Sequence, residues 1–510
     1  MADKEMKLFA AMDVGSFEIS MKIFEIGPKG PRQLDHVRHR LALGNDSYNT
    51  KKISYEHMEE LFRILKEFRQ IMKSYNVSAY RAYGTSALRE TENTSLLLDQ
   101  ILNRSGIQLS VLSNSEQRFL DYKAIASNGE RFQKGINGGA AIVDIGGGSI
   151  QISLFEKGQL VTTQSLKLGV LRINERLRKM QPKATQLEEV LDEMIGSQLK
   201  VFKKMYMKDR TIERIILMDD YLSPVITRQT KKDDDISMET FLSVSEKLSE
   251  MGREEIADLL ETPEENVDLL KISVAIIKRI IPETNAKLLW VPRAALCDGI
   301  VYEYLEEEKL GPAMRDFEQD IISSARAISK RYMGSKKRGE ALEYLAVSIF
   351  DGMEGIHGMN ERHRLLLRLA TILHDCGKFI NMTNVGSCSY AIIMNTEIIG
   401  LSHTEREMLA YVVKFNHDEF EYYDELSAHT RFDENSYMII AKLTAILRIA
   451  NALDKSQKQK IRHMKVTQNE DRLMLLLETG EDLLFEEERF STRADFFKEI
   501  FGLKPMIKRV

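Results

Sequence analysis

The segment Asp144-Ile145-Gly146-Gly147-Gly148-Ser149 is the part of the chain best suited to chemistry. A run of glycines lets backbone N–H groups close on an anion with no Cβ in the way, and the Ser149 hydroxyl adds a donor. In nucleotide-binding fingerprints such glycines open a helix. Here Ile150, Ile152 and Leu154 follow with period-two alternation, so the glycines sit at the tip of a β-hairpin. Asp13-Val14-Gly15-Ser16 repeats the pattern near the start, between an apolar run and the alternating Ile19, Met21 and Ile23. One glycine hairpin is an ordinary turn. Two of them, each led by an aspartate, predict a pair of phosphate-binding tips facing one cleft, where Asp13 and Asp144 would hold Mg²⁺ or orient water. Gly84-Thr85-Ser86-Ala87-Leu88-Arg89-Glu90 adds small hydroxyls and a guanidinium. Phosphate contact, bracing of the cleft, and a plain helix start capped by Thr85 or Ser86 are the alternatives there.

The elements that would position these tips recur in the same order. After the first hairpin, a third strand is expected near residues 33–43 and a helix over 55–74. That helix carries Met58, Leu61, Phe62, Leu65, Phe68 and Met72 on one face and Ser54 as N-cap. A strand at 77–83, a helix at 95–103, a strand at 109–112 and a helix from Asn114 follow. After the second hairpin, strands near 160–166, 215–218 and 287–291 alternate with helices. Three antiparallel strands and then alternating helix and strand, twice over, predict an α/β fold. It consists of two ribonuclease-H-like lobes of the actin/sugar-kinase/Hsp70 type. No proline occurs between Pro312 and Pro505, and amphipathic patterns such as Leu365, Leu366, Leu369 and Ile372 predict an all-helical region to about residue 457. The tail alternates like a hairpin over 462–485 and ends in a helix at 492–501, a small α+β domain. The expected divisions are 1–128 and 129–311 for the lobes, 312–457 for the helical domain and 458–510 for the tail. The charge run Lys231 to Asp235 reads as a solvated loop or a helix start, with no function assigned.

Composition narrows the class. With 510 residues, 43% hydrophobic and 29% charged, the chain is a soluble multidomain protein. A net charge of −5 excludes a broadly basic coat for duplex nucleic acid, and a polyanionic ligand would need a local patch of Lys and Arg. Cys297, Cys376 and Cys388 make no disulfide framework. Asp13 interrupts the first apolar run, and no stretch approaches 18 uninterrupted apolar residues. A cytoplasmic protein with no membrane partner is the expectation.

Several motifs stand together in a recognisable order: DVGS at Asp13, GTSALRETEN from Gly84, VLSNSEQ from Val111, DIGGGSIQIS from Asp144 and LKLGVLRINERL from Leu166. LLLRLATILHDCGKFI from Leu365 and LRIANALDKS from Leu447 follow in the helical region. Over nearly its whole length the chain resembles the exopolyphosphatase/guanosine pentaphosphate phosphohydrolase (Ppx/GppA) family, in its long form with an HD-like helical domain. The resemblance implies release of terminal phosphate from inorganic polyphosphate, or from guanosine penta- or tetraphosphate, by water with Mg²⁺. It assigns the phosphate contacts to Asp13, Gly15, Ser16, Arg89, Asp144, Gly146, Gly147, Gly148 and Ser149. It also implies that two glutamates position and activate the water, and a homodimer is the expected assembly.

At the two glutamate positions this chain has Gln117 and Gln151. A carboxamide can orient water but cannot take its proton, and loss of a general base costs about 10²- to 10⁴-fold. Glu116 is the neighbouring candidate base, yet Ser113-x-x-Glu116 reads as a capping box that turns it back toward the helix start. Other departures are Phe17-Glu18 after the first Ser, Asp219-Asp220-Tyr221 in place of a glycine turn, and Cys297-Asp298-Gly299 in place of Arg-Glu-Gly. Of an HD metal site, His374, Asp375 and Asp454 remain; a histidine is missing around 338–341, and Gly386-Ser387-Cys388-Ser389 replaces a His-rich turn. A metal on Cys388 and His417 competes with a packing role for His374, while His357, His363 and His403 read as surface or capping residues. An active phosphohydrolase and a catalytically impaired sensor of polyphosphate or alarmone are the leading readings. ATP-dependent chemistry and metal phosphodiesterase action by the helical domain are weaker.

Overall fold

The computed structural model describes residues 7–28, 30–181, 186–208, 210–219, 221–223, 225–226, 235–260, 264, 267–310, 315–469 and 471–510. Asp220, Pro312 and most of the 231–235 charge run lie outside the described residues. The chain divides into two compact units, Met1–Asp316 and Phe317–Val510.

The first unit is built on two sheets whose orders are equivalent. In the first sheet β1 (Lys7–Val14), β2 (Glu18–Gly27), β3 (Gly30–Arg40), β4 (Ala79–Gly84) and β5 (Ser110–Val111) lie in the order β3-β2-β1-β4-β5. The second contains β6 (Ala140–Ile145), β7 (Ile150–Glu156), β8 (Gln159–Leu166), β9 (Arg214–Asp219), β10 (Ile236–Ser237) and β11 (Leu288–Trp290), ordered β10-β11-β9-β6-β7-β8. Strands β8-β7-β6-β9-β11 thus repeat the first sheet, with β10 added at the edge. The central strands are apolar along their length because both faces are covered: Phe9 to Met12 and Ala140 to Val143 are all buried. These sheets are the two predicted lobes.

The Tyr55–Ser74 helix begins at Ser54, whose side chain accepts from His57 N, and buries Leu61, Phe62, Leu65, Phe68 and Met72 in the first core. The third strand ends at Arg40, not at residue 43 as expected. A short helix, Leu43–Thr50, follows, with Leu43, Gly44 and Ser47 buried. Its sequence is polar and carries no side-chain cap, so packing rather than propensity makes it a helix. One further helix, Leu296–Glu307, packs Leu296, Cys297, Ile300, Val301 and Leu305 against Phe9, Ala11, Phe24 and Ile26 of the first sheet. The linear division at 128/129 groups that helix with the second lobe, although its core is the first.

The second unit is helical from Phe317–Arg331 through Glu434–Leu453, then carries a small sheet ordered β12-β13-β14. Strands β12 (His463–Asn469) and β13 (Arg472–Glu478) form the predicted hairpin. The last helix starts at Leu484, eight residues earlier than read from the sequence, because Phe490, Ala494 and Phe497 recur at helical spacing and are buried. The alternation assigned to 479–485 belongs partly to this helix start. Strand β14 (Lys504–Arg509) was not anticipated; it runs parallel to β13 at the sheet edge, where Pro505 is tolerated. The Glu434–Leu453 helix is long and apolar enough to cross a bilayer, but 72% of its apolar window is buried inside the unit, as befits a core helix.

Candidate functional site

The two hairpin tips are built alike. Gly15 N–H donates to Glu18 O at 3.0 Å, and Gly146 N–H donates to Ser149 O at 3.0 Å. Asp13 and Asp144 each stand two residues before the turn glycine; in register Asp13 faces Ser20, and Asp144 faces Gln151. Both residues are half-buried, and Asp13 Oδ1 is cut off from solvent. Burial, then the negative charges of Glu18 and Asp144, push Asp13 up to about 7. Burial, then Asp219, push Asp144 up to about 7 against the opposing pull of Arg118. Asp13 Oδ1 and Gln151 Oε1 are buried oxygens without a hydrogen-bond partner among the described residues. Two half-buried carboxyl groups, each raised by burial and by neighbouring carboxylates, with orphaned oxygens beside them, fit a divalent cation that takes its remaining ligands from phosphate and water.

Three hydroxyls close over the glycine loop. Ser16 Oγ, Tyr48 Oη and Ser86 Oγ lie 2.7 Å from one another in all three pairings. A Cβ at Gly148 would come within 2.6 Å of Tyr48 Oη, and one at Gly147 within 3.1 Å of Ser16 Cβ. The glycines therefore permit close approach of the lobes. Arg172 completes the closure. Its Nε donates to Gly148 O at 3.0 Å, its Nη2 to both Glu90 oxygens at 2.7 and 2.8 Å, and its guanidinium lies over the Tyr48 ring at 4.9 Å. Sequence reasoning missed Tyr48 and Arg172. Arg172 had a visible signal in LKLGVLRINERL, whereas Tyr48 sits in a polar segment that offered none.

The helix Asn114–Ala126 presents the remaining candidates. Glu116 forms the expected capping box: Ser113 N–H donates to Glu116 Oε2 at 2.8 Å, and Glu116 N–H donates to Ser113 Oγ at 3.2 Å. Gln117 Oε1 accepts from both terminal nitrogens of Arg89 at 3.4 Å, and Arg89 Nη1 donates to Leu112 O at 2.6 Å. Arg89 thus ties the start of the helix that carries Gln117 to the strand end before it. The Ser86–Arg89 helix does start there, with Thr85 as N-cap, but no side-chain capping bond is made; Ser86 Oγ turns to the hydroxyl triangle instead.

Asp219 takes, in the second sheet, the position of Gly84 in the first: Ile145 pairs with Asp219 as Val14 pairs with Gly84. Its carboxylate folds onto its own turn, accepting from Tyr221 N–H at 2.8 Å, from Leu222 N–H and from the Ser273 hydroxyl. Asp298 likewise works locally, accepting from Ala295 N–H at 2.7 Å and pairing with Lys22 at 2.7 Å. Gly299 is required by contact, since a Cβ there would overlap the Leu120 carbonyl oxygen.

In the helical unit the nominated metal ligands do not fit a metal: among the described residues no group of three or more His, Cys, Asp and Glu side chains is arranged to hold one. His374 Nε2 faces Arg338, Asp454 accepts from Arg338 and Gln459, and His417 Nε2 lies 2.7 Å from His374 O. His363 caps its helix as expected and His403 is exposed. His357 is not a surface residue; it is 3% exposed, with Nε2 3.1 Å from Phe350 O and Nδ1 accepting from Met359 N–H.

Two lobes of matching topology, each with an aspartate-led hairpin tip, define a two-lobed α/β protein of actin-like fold, extended by a helical region. The model of the Ppx/GppA phosphatase family matches residues 23–308, and that of Ppx/GppA phosphatase domain III matches residues 322–493. The chain belongs to the Ppx/GppA phosphatase family. An exopolyphosphatase from Cytophaga hutchinsonii is similar in structure, with a TM-score of 0.54 and 20% identity over 60% of this chain and 100% of that one. The Aquifex aeolicus family member aligns at a TM-score of 0.49 and 18% identity, over 59% of this chain and 99% of its own.

Proposed function

We propose that this protein binds a linear phosphoanion, inorganic polyphosphate or guanosine penta- or tetraphosphate, between the lobes in the cytoplasm, and hydrolyses it slowly or not at all. The carrying observation is Gln151: its side chain lies beside Asp144 on a buried strand pair, in the place where the family resemblance puts a water-activating glutamate. Asp13 and Asp144 would hold Mg²⁺, which screens phosphate charge and polarises the terminal phosphoryl group. The N–H groups of Gly146 to Ser149 and the hydroxyl of Ser16 would contact the phosphate chain. Gln151 and Gln117 are able to orient water through their carbonyl oxygens and unable to take its proton. Glu116 does not replace them, because its carboxylate is committed to the helix start. A binding protein that reports occupancy through lobe closure follows from this reading.

The test is phosphate release from polyphosphate and from guanosine pentaphosphate with Mg²⁺, beside titration calorimetry of both ligands. The natural chain is expected to bind with little turnover, and a Gln117→Glu/Gln151→Glu double variant to gain about 10²- to 10⁴-fold in turnover. Rapid turnover by the natural chain would restore the second reading, an active exopolyphosphatase, which the intact glycine loop and paired aspartates favour. Absence of any binding would remove both.

A further inference from the structure

The helical unit contains a buried polar cluster that the cleft does not use. Arg338 lies in the first turn of the helix Lys336–Gly352 and is 4% exposed. Its Nε donates to His374 Nε2 at 3.2 Å, its Nη2 to Asn451 Oδ1 at 2.6 Å, and its Nη1 to Asp454 Oδ2 at 2.9 Å and also to the Asp454 carbonyl. His374 Nδ1 is 2.8 Å from Thr371 O, an acceptor, so the ring proton sits on Nδ1 and the Nε2 lone pair points at Arg338. Asp454 Oδ1 accepts from Gln459 N–H at 2.9 Å, which leaves neither oxygen of that carboxylate idle.

A metal would need the same lone pairs. At an ordinary distance of about 2.0–2.2 Å from His374 Nε2 and Asp454 Oδ2, an ion would fall inside the guanidinium and meet its positive charge. Arg338 joins three helices through these contacts, Lys336–Gly352, Glu361–Leu373 with its C-cap His374, and Glu434–Leu453 with its C-cap Asp454. A planar fork with five donors matches that acceptor set in a way a lysine ammonium would not. We infer that Arg338 is a tethered cation standing in the place of a divalent metal, so that this cluster is a closed helix anchor, and that removing the guanidinium opens a transition-metal site on His374 and Asp454.

The experiment uses the full chain carrying Asp13→Asn and Asp144→Asn, so that the cleft contributes no ion and the outcome does not depend on the proposed function. After equilibration with Mn²⁺ and gel filtration, metal is measured per chain. The Arg338 chain is expected to emerge without manganese, and the added Arg338→His substitution to bring about one ion per chain, lost again with His374→Ala. Stoichiometric manganese in the Arg338 chain that His374→Ala abolishes would overturn the inference, as would a folded Arg338→His chain that stays metal-free. Should that variant not fold, ¹⁵N-histidine spectra of the Asp13→Asn/Asp144→Asn chain with Arg338 in place decide the matter. A His374 Nε2 signal left sharp by excess Mn²⁺ supports the inference, and its broadening refutes it.

Discussion

Asp13 and Asp144 are pushed up to about 7, with burial the larger cause in each and neighbouring carboxylates the next. A carboxyl whose folded-state value lies above its unfolded value of about 4 binds more protons folded than unfolded throughout the interval between them. Without added divalent ions, stability therefore falls as pH climbs from about 4 to about 7 and levels off above that. Urea unfolding at pH 5.5 and 8.0 should show the natural chain losing more stability than an Asp13→Asn variant between the two pH values; equal losses would mean that Asp13 is ionised throughout. The same burial makes protons compete with Mg²⁺, so Mg²⁺ affinity should rise through pH 6–8 in calorimetric titrations and lose roughly half of that slope in Asp13→Asn, Asp144 keeping the rest. His374 works in the opposite direction: burial first, with Arg338 adding to it, holds the ring down at about 4, so its contribution is lost as pH falls below the unfolded value of about 6.5. Comparison with the Asp13 variant separates the two.

The helices Asn114–Ala126 and Leu296–Glu307 cross where Gly299 meets the Leu120 carbonyl. Gly299→Ala should force them apart and cost about 1–3 kcal/mol, read as a lower urea midpoint with an unchanged slope. The elements legible beforehand were those whose pattern is local. The Tyr55–Ser74 helix announced itself by its apolar stripe and Ser54 cap, and both hairpins by Asp-x-Gly between alternating strands. The capping box at Ser113 was equally legible, and it decides the fate of Glu116. What stayed hidden depends on tertiary contact. Leu43–Thr50 has no pattern of its own, so Tyr48 could not be placed at the cleft; β14 contains Pro505 and gains its strand character only from β13. Arg338 was noted as the absence of a histidine, while its positive role required seeing which acceptors surround it.

In the first unit, closure depends on few polar contacts. Arg172 ties Gly148 O, Glu90 and the Tyr48 ring together, bridging the two lobes. Arg172→Ala should loosen that closure without disturbing either core, and hydrogen exchange at the Gly147, Gly148 and Ser149 amides should quicken several-fold while exchange in β1 and β6 is unchanged. Unaltered exchange at the loop would mean that the hydroxyl triangle of Ser16, Tyr48 and Ser86 holds the lobes by itself. The Leu296–Glu307 helix also sets an order of events during synthesis. The first sheet is finished with β5 at Val111, yet the helix that covers Phe9, Ala11, Phe24 and Ile26 emerges from the ribosome only after about another 180 residues. At roughly 5–20 residues per second the nascent first lobe waits on the order of 10–40 s with that apolar face uncovered. A chain stopped before residue 296 should therefore keep that face exposed and aggregate, however sound its strands are.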